Sequence, residues 1–530
     1  MKKQLLLLFL ILFCASCSSV KKHNEHITSL HTVAALQKDV DKAYTQLKKH
    51  HPNINLYIAK ERLDFKFDSL KKSIDKPLTS YAFYAKISPV IASIRQGHIN
   101  VYTPKKQFKR KAYKALIKKD FTINDLDFDY IEKELIVTNI RSQDSFLIGS
   151  EVIKVDGQDI NELINTYKSR MASDGFNTTL YDRVLGKRFA NYYYSDKFFI
   201  DSLQITFQKK DSVFNRNFKR IEKDEKQADT IIKDSLQKDI IVKLSKEERK
   251  AKKKKEKLIR KHNLVYGYVK SRKEYTRNLE FIGKDSTVAY MKIRGFMGGR
   301  YKTFYEEIFK KIDSSKTENL IIDLRDNGGG SLAEIAQLYS YLAEEPYRFL
   351  EPAEVNSRIP FLKAFMSNTE STGIKILLGT FSPFIITHNW IKTKKEAGKL
   401  YYKFKQTKEV TPKEKSFKGA VYVLINGHSF SASSVLSNQL QANKRAVFVG
   451  EETGGAYNST VAGIFKIYEL PESKLKIRIG VMQLETPHKQ KPEGYGVKPD
   501  YIILPTIKDR KENNDPELNF VLNTIENKNN

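Results

Sequence analysis

The chain has 530 residues, a formal net charge of +31, 40% hydrophobic residues and 11% aromatic residues. That length is too great for one core, and the charge favours anionic partners such as lipid headgroups, nucleic acid or acidic substrates. Both cysteines, Cys14 and Cys17, lie at the extreme N-terminus, which excludes an internal disulfide or a thiolate metal site from the rest of the chain.

The first element is a targeting segment. "MKKQLLLLFLILFCASC" has a basic start, an apolar run from Leu5 to Phe13 and then small residues, the pattern of a secretory signal over residues 1–16. The run is too short for a permanent bilayer span. "CASC" resembles a bacterial lipobox, which implies acylation at Cys17 and a lipoprotein of the cell envelope, exported to the periplasm and anchored in the outer membrane. Cys14 departs from the leucine-like residue usual in that box, so simple secretion is the alternative.

Residues 17–30 are polar and read as a tether. Over 31–102 the spacing predicts a helical module. Val33, Leu36, Val40, Tyr44 and Leu47 share one stripe, and Pro52 ends that helix. A further helix starts at a Thr79 or Ser80 cap and is interrupted near Pro89. Residues 103–205 are mixed: "KELIVTNI" and "SEVIKV" read as strands, "DG" as a turn and "INELINTYKSRM" as a helix. That order resembles a PDZ-like peptide-binding domain; a small α+β domain with no binding role is the alternative. Residues 206–270 read as a basic helical insertion. "KLSKEERKAKKKKEKLIRKH" is a solvated helix or a contact for an anionic membrane surface. Nucleic acid is not expected, because the export signal takes the chain out of the cytoplasm and no aromatic residues interleave the basic run for base stacking.

From 271 to 506 the pattern turns α/β. "VAYMKI", "NLIIDLR", "GAVYVLIN" and "AVFVG" are strands; "LAEIAQLYSYL" and "ASSVLSNQLQAN" are helices. Two of the strands run through a tight turn straight into a helix, which leaves backbone N–H groups unpaired at the helix start, where they stabilise negative charge. Residues 507–530 read as a C-terminal tail. The fold class is therefore α/β within an α+β multidomain chain: a core of mixed sheet with strand–turn–helix units, a helical module and a PDZ-like domain.

Both turns carry residues suited to acyl transfer. "GHSFSASS" places four serines, Ser429, Ser431, Ser433 and Ser434, on a strand-to-helix turn, where a hydroxyl is lifted out of the sheet and the following amide faces a developing oxyanion. In "DNGGGS", Gly328, Gly329 and Gly330 let backbone amides approach a carbonyl closely. That turn lacks the lysine of a phosphate-binding loop and the spacing of a dinucleotide fingerprint. Local pattern alone leaves open a tight turn with no chemistry.

"NLIIDLRDNGGGSL", "VYVLINGHSFSASSVLSNQL", "FVGEETGG" and "GYGVKPD", in this order, resemble the tail-specific, or C-terminal processing, serine proteases and the related tricorn core. The resemblance covers about 285–505; the PDZ-like segment and the helix ending in "SIRQGHINVY" fit it more loosely. It implies a serine peptidase acting on proteins or peptides without a cofactor, and the absence of an HExxH motif agrees. The small-residue stretch of the family's nucleophile matches "FSASS", which implies Ser431 as nucleophile, with Ser429 and Ser433 as local turn or capping residues. Ser434 stands where glutamate is common in the family. The amide of Ala432 and that of Gly329 or Gly330 would hold the oxyanion. One branch uses a lysine about 25 residues after the nucleophile; that position is Ala456 here. The tricorn-like branch uses a histidine, matched by His98 in "QGHINVY", and a glutamate before "GVKPD", matched by Glu493. The serine that precedes the histidine in that branch is Gly97 here, so a link from Glu493 to His98 has to be direct, by water or through another group. His428 and His488 are the other histidines considered as base; Asp323 and Arg325 read as supports of the Gly-rich turn. Tyr457, Asn458 and Tyr495 are candidates for the cleft wall.

Two other classes are compatible with the residues. An inactive peptidase-like adaptor would bind peptides without turnover. A basic nucleic-acid- or lipid-binding protein would depend on the lysines of 243–262 rather than on Ser431.

Overall fold

The computed structural model describes residues 19–141, 145–223, 245–284 and 287–529. The expected signal segment and Cys17 lie outside the described residues.

Four helices open the described chain: α1 (Val20–Thr28), α2 (Val33–His50), α3 (Lys60–Lys72) and α4 (Ser80–Ala92). The expected tether is thus largely helical. Ser19 caps α1, and His23, Asn24 and His26 bond the carbonyls of Lys105, Gln107 and Glu472, so the segment is docked. α2 buries Leu36, Val40 and Leu47 as its stripe predicts. Thr79 caps α4, and the helix runs on through Pro89 to Ala92 rather than breaking there. Only three residues follow the proline, and Ile87 and Ile91 are fully or almost fully buried, so packing outweighs the lost hydrogen bond. Strand β1 (Asn100–Tyr102) leaves this module to pair with a strand far along the chain.

A short helix α5 (Arg110–Leu116) leads into a seven-stranded sheet. Its strands are β2 (Lys119–Phe121), β3 (Leu126–Ile131), β4 (Glu134–Ile140), β5 (Glu151–Val155), β6 (Gln158–Asp159), β7 (Ser202–Lys209) and β8 (Ser212–Glu222). The order is β2-β8-β7-β5-β4-β3, with β6 on β5. Helices α6 (Ile160–Ser169) and α7 (Thr179–Asp196) pack on it. The expected boundary at 205 therefore falls inside β7. Residues 206–222 belong to this sheet because Leu203, Ile205, Phe207 and Phe218 share its core. Of the basic segment only α8 (Lys246–Tyr266) is a described helix, started by a Ser245–Glu248 capping box and stopped at Gly267 in the left-handed conformation.

Beyond a small hairpin, β9 (Tyr268–Val269) with β10 (Glu274–Tyr275), lies the central sheet. β11 (Arg277–Ile282) pairs antiparallel with β12 (Val288–Ile293). Parallel neighbours follow in the order β13 (Asn319–Asp323), β19 (Ala420–Ile425), β20 (Val447–Gly450) and β23 (Tyr501–Ile502). α9 (Tyr301–Ser314), α10 (Leu332–Tyr339) and α13 (Ala432–Ala442) cover one face. The expected tail covers the other: after α14 (Ile507–Glu512), α15 (Pro516–Asn529) buries Val521 and Ile525 against Tyr422, Leu424 and Val449. With both faces covered, β13 and β19 are apolar without alternation, as their sequences require.

Between α10 and β19 the chain adds β14 (Tyr347–Arg348), β15 (Ala353–Val355), α11 (Pro360–Phe365), α12 (Thr372–Lys392), β16 (Thr393–Glu396), β17 (Lys399–Tyr402) and β18 (Glu409–Val410). The long hairpin β21 (Ser459–Glu469) and β22 (Lys476–Glu485) joins β1, β15, β17 and β16 in a third sheet. This hairpin carries the helical module to the central sheet. Its Leu470, Leu475, Ile477 and Ile479 complete the core of α2–α4, and Asn100 sits opposite Arg478.

Candidate active site

Parallel β13 and β19 are adjacent and end at the same level, so the turns that follow them meet. After β13, Asn327 is fully buried; its side chain donates to the Ile293 carbonyl at 2.8 Å and accepts from the Gly329 amide at 2.9 Å. Gly329 (φ +97°) lies against the second turn: a Cβ there would stand 2.8 Å from both the Ala432 nitrogen and the Ser431 Cβ. Gly330 bridges to Phe296 in parallel fashion, with Phe296 donating to the Gly329 carbonyl and Ser331 donating to the Phe296 carbonyl. In that pairing the Gly330 amide points away from Phe296. Gly330 lines the cleft described below. The sequence left Gly329 and Gly330 as equal oxyanion donors. The Gly329 amide is taken by Asn327, which leaves the Gly330 amide as the candidate of the two.

After β19, Ser429 accepts from the Asn426 amide at 3.0 Å and donates to the Leu324 carbonyl at 2.7 Å. Ser433 donates to the Asn327 carbonyl at 2.8 Å, and Ser434 to the Ser429 carbonyl at 3.1 Å. These three hydroxyls tie the turn down. Ser431 does not. It takes φ +59° and ψ −118°, a conformation a non-glycine residue adopts only under constraint, and it makes no side-chain cap to α13. Its Oγ lies 2.9 Å from His98 Nε2, in position for the hydroxyl to donate. The Ala432 amide, at the first position of α13, has no intrahelical acceptor.

His98 comes from the turn between α4 and β1, across the cleft. Its ring is 4.8 Å from that of Phe430 and 5.5 Å from that of Phe465. Arg478 stacks over Phe465 at 3.6 Å. Burial first, and the Arg478 charge second, push the imidazole down to about 3, opposed by a backbone hydrogen bond at Gly97. The ring is therefore neutral across the physiological range and able to accept a proton.

Gly97 has a steric reason. A Cβ there would meet Phe430 Cζ at 2.6 Å, so any side chain before His98 would displace the ring that packs on it. The Gly97 amide donates instead to Asp174 Oδ1 at 2.7 Å. Asp174 is fully buried, which pushes its carboxyl up to about 6 against the opposing effects of the Gly97 amide, the Thr460 hydroxyl and the Ala456 amide. Sequence reasoning missed Asp174, which stands in "MASDGFN" without a local signal that would mark it.

Glu493 is not brought to His98. It is exposed, and among the described residues no hydrogen bond or ion pair joins the two. The neighbouring Gly494 packs on Phe176 and Tyr57, and the Glu493 charge acts on Tyr57. His428 is half-buried beside Gly328 and, among the described residues, makes no hydrogen bond to the Ser431 hydroxyl, and His488 bonds Asn443. Asp323 and Arg325 pair with each other at 2.9 Å, and Arg325 continues to Asp515 at 2.7 Å, which pins α15 under the Gly-rich turn.

Ser431, His98 and Gly330 open into a cleft of about 760 Å³. α7 forms one wall with Leu180, Val184 and Arg188, and β21–β22 the other with Phe465 and Arg478. Tyr457, Asn458 and Tyr495 are not among its lining residues. A His-bonded serine on a strained turn beside two backbone amides is an arrangement suited to nucleophilic acyl transfer.

Residues 287–503 match the family model Peptidase family S41. The matched span holds the Gly-rich turn and Ser431, while His98 and Asp174 lie before it. The chain is 26% identical over 233 residues to the tail-specific protease of Haemophilus influenzae, a match that covers 42% of this chain and 26% of that protein. The chain thus spans about a quarter of the length of that relative. Among solved structures, mature CPAF superposes with a TM-score of 0.58 at 13% identity, covering 93% of this chain and 96% of that one. Mature CPAF complexed with lactacystin gives the same TM-score and identity. These structures share the fold. The mixed α/β multidomain fold agrees with the fold class that the sequence pattern implied.

Proposed function

We propose that the chain is a serine peptidase that hydrolyses peptide bonds through an acyl-enzyme on Ser431. The observation that carries this reading is the 2.9 Å contact from Ser431 Oγ to His98 Nε2 at a strained strand-to-helix turn. His98 takes the hydroxyl proton as Oγ attacks the carbonyl carbon. The amides of Ala432 and Gly330 receive the oxyanion. His98 then gives its proton to the leaving amine, and water repeats the cycle to free the acid. The negative charge that develops on the oxyanion raises the basicity of the nearby imidazole as the proton arrives, which compensates for its low resting value. Asp174 acts as a positioning residue, fixing the backbone before His98 through Gly97. Leu180, Val184 and Phe430 cluster beside the nucleophile, so an apolar substrate side chain is expected there. Export of the chain and acylation at Cys17 belong to the same proposal, supported by the N-terminal sequence.

Labelling with a fluorophosphonate tests it. Wild type is expected to label, and Ser431→Ala and His98→Ala are not. Labelling retained in Ser431→Ala would sink the assignment of the nucleophile.

A further inference from the structure

Helix α12 is mostly exposed, although it touches α11 and β16. Ile374, Leu377, Phe381, Phe384, Trp390 and Ile391 are between 45% and 76% exposed, and Asn389 is its one buried residue. The apolar surface is not a stripe. Ile374 and Ile376, two positions apart and so on nearly opposite faces, are both exposed. A helix apolar on all sides is normally enclosed, by protein or by lipid.

We propose that α12 embeds in the interfacial layer of an anionic phospholipid bilayer. Three observations favour lipid over a second copy of the chain. First, the apolar residues of α12 point in all directions, and deformable lipid can close around more of such a helix than one protein face covers. Second, no acidic residue occurs from Ser371 to Lys395, while Lys375, Lys392, Lys394 and Lys395 do. A symmetric dimer through this helix would set like charges against each other; anionic headgroups complement them. Third, Trp390, the one tryptophan of the chain, sits near the end of the helix under the Arg358 guanidinium at 4.7 Å. Tryptophan beside basic residues is the usual composition at the headgroup level. No described helix is long and apolar enough to cross a membrane, so α12, about 31 Å long, lies in the interface rather than spanning it. Its Asn389 side chain accepts from the amide of Phe361, a residue of the cleft wall, so docking brings the cleft to the membrane surface.

Because Trp390 is unique, its fluorescence reports on this helix in the full chain, whatever the N-terminus does. With vesicles of phosphatidylcholine and phosphatidylglycerol, Trp390 emission is expected to shift to the blue and to be quenched by brominated acyl chains. In a Phe384→Asp, Ile391→Asp variant the vesicle concentration needed should rise about tenfold or more. Both substitutions are at exposed positions, and unchanged fluorophosphonate labelling checks that the variant is folded. Emission unchanged by vesicles would overturn the proposal. So would a blue shift that depends on protein concentration without lipid, accompanied by dimer in sedimentation, which would assign α12 to a second copy.

Discussion

Two neighbouring units of the central sheet are built alike and end differently. β13 and β19 are adjacent parallel strands, each followed by a turn and a helix, and each helix is preceded by a serine. Ser331 has an extended backbone (φ −75°), and its hydroxyl accepts from the Glu334 amide at 3.3 Å, an ordinary N-cap. Ser431 has a positive φ, caps nothing, and offers its hydroxyl to His98. A serine at a helix start is a capping residue by default. At Ser431 the backbone turns the side chain away from the helix, as the proposed role of nucleophile requires, and the Ser429 and Ser433 hydroxyls and the close approach of Gly329 hold the turn in that form.

The strongest way to break the comparison is to exchange the roles. Ser431→Ala should lower kcat for peptide hydrolysis by about 10⁴-fold or more. It should leave the melting temperature unchanged, since no cap is lost. Ser431→Gly should match it in activity and raise stability by about 1 kcal/mol, because glycine adopts positive φ without strain. Ser331→Ala should do the opposite, costing about 1 kcal/mol of stability while kcat stays within about tenfold. Equal losses of activity in the two alanine variants would contradict the distinction.

Asn327 links the two units, and its removal should affect both. Asn327→Ala frees a buried amide and a buried carbonyl, at a cost of about 1–3 kcal/mol, and should lower kcat about 10²-fold as the Gly330 amide loses its place. Urea unfolding and single-turnover kinetics would separate these effects.

A smaller effect separates the two carboxylates. Asp174→Asn should lower kcat by about tenfold to 10²-fold with little change in KM, because the hold on Gly97 weakens. Glu493→Gln should change it by about twofold at most, being exposed. A loss of 10²-fold in Glu493→Gln would instead place that carboxylate in the machinery.

The pH profile gives the finest test. His98 accepts a proton only while neutral, and activity is lost as pH falls through its folded pKa. Because burial and Arg478 push that value down to about 3 from 6.5, the acid limb of kcat/KM should lie well below 6.5. Arg478→Met removes the smaller of the two causes, so the limb should move to higher pH but stop short of 6.5. An acid limb already at 6.5 in wild type would show that the imidazole is solvated in the working enzyme.

The apolar strands, the Gly-rich turn and the serine-bearing elbow were legible because each is local. Continuous apolar runs report a sheet covered on both faces, and a tight turn into a helix reports exposed amides. Ser431 and His98 were named through the family resemblance that these motifs carry. What the sequence could not decide is whatever depends on groups distant along the chain. Ser433 bonds a carbonyl 106 positions away, and the Gly97 amide finds Asp174 77 positions on. The preference for Gly330 over Gly329 rests on Asn327 and on a bridge to Phe296, and Glu493 stands exposed with no bond to His98 among the described residues. The strands of 206–222 were hidden in a basic segment because their sheet partners outside it lie in β2 and β5, and the C-terminal helix passed for a tail because it is half polar. Composition and periodicity determined the layers, and the family resemblance of the motifs pointed to the reacting groups. Only the tertiary structure decided which glycine amide is left unpaired among the described residues and which carboxylate holds the backbone before His98, because long-range packing alone fixes where a side chain points.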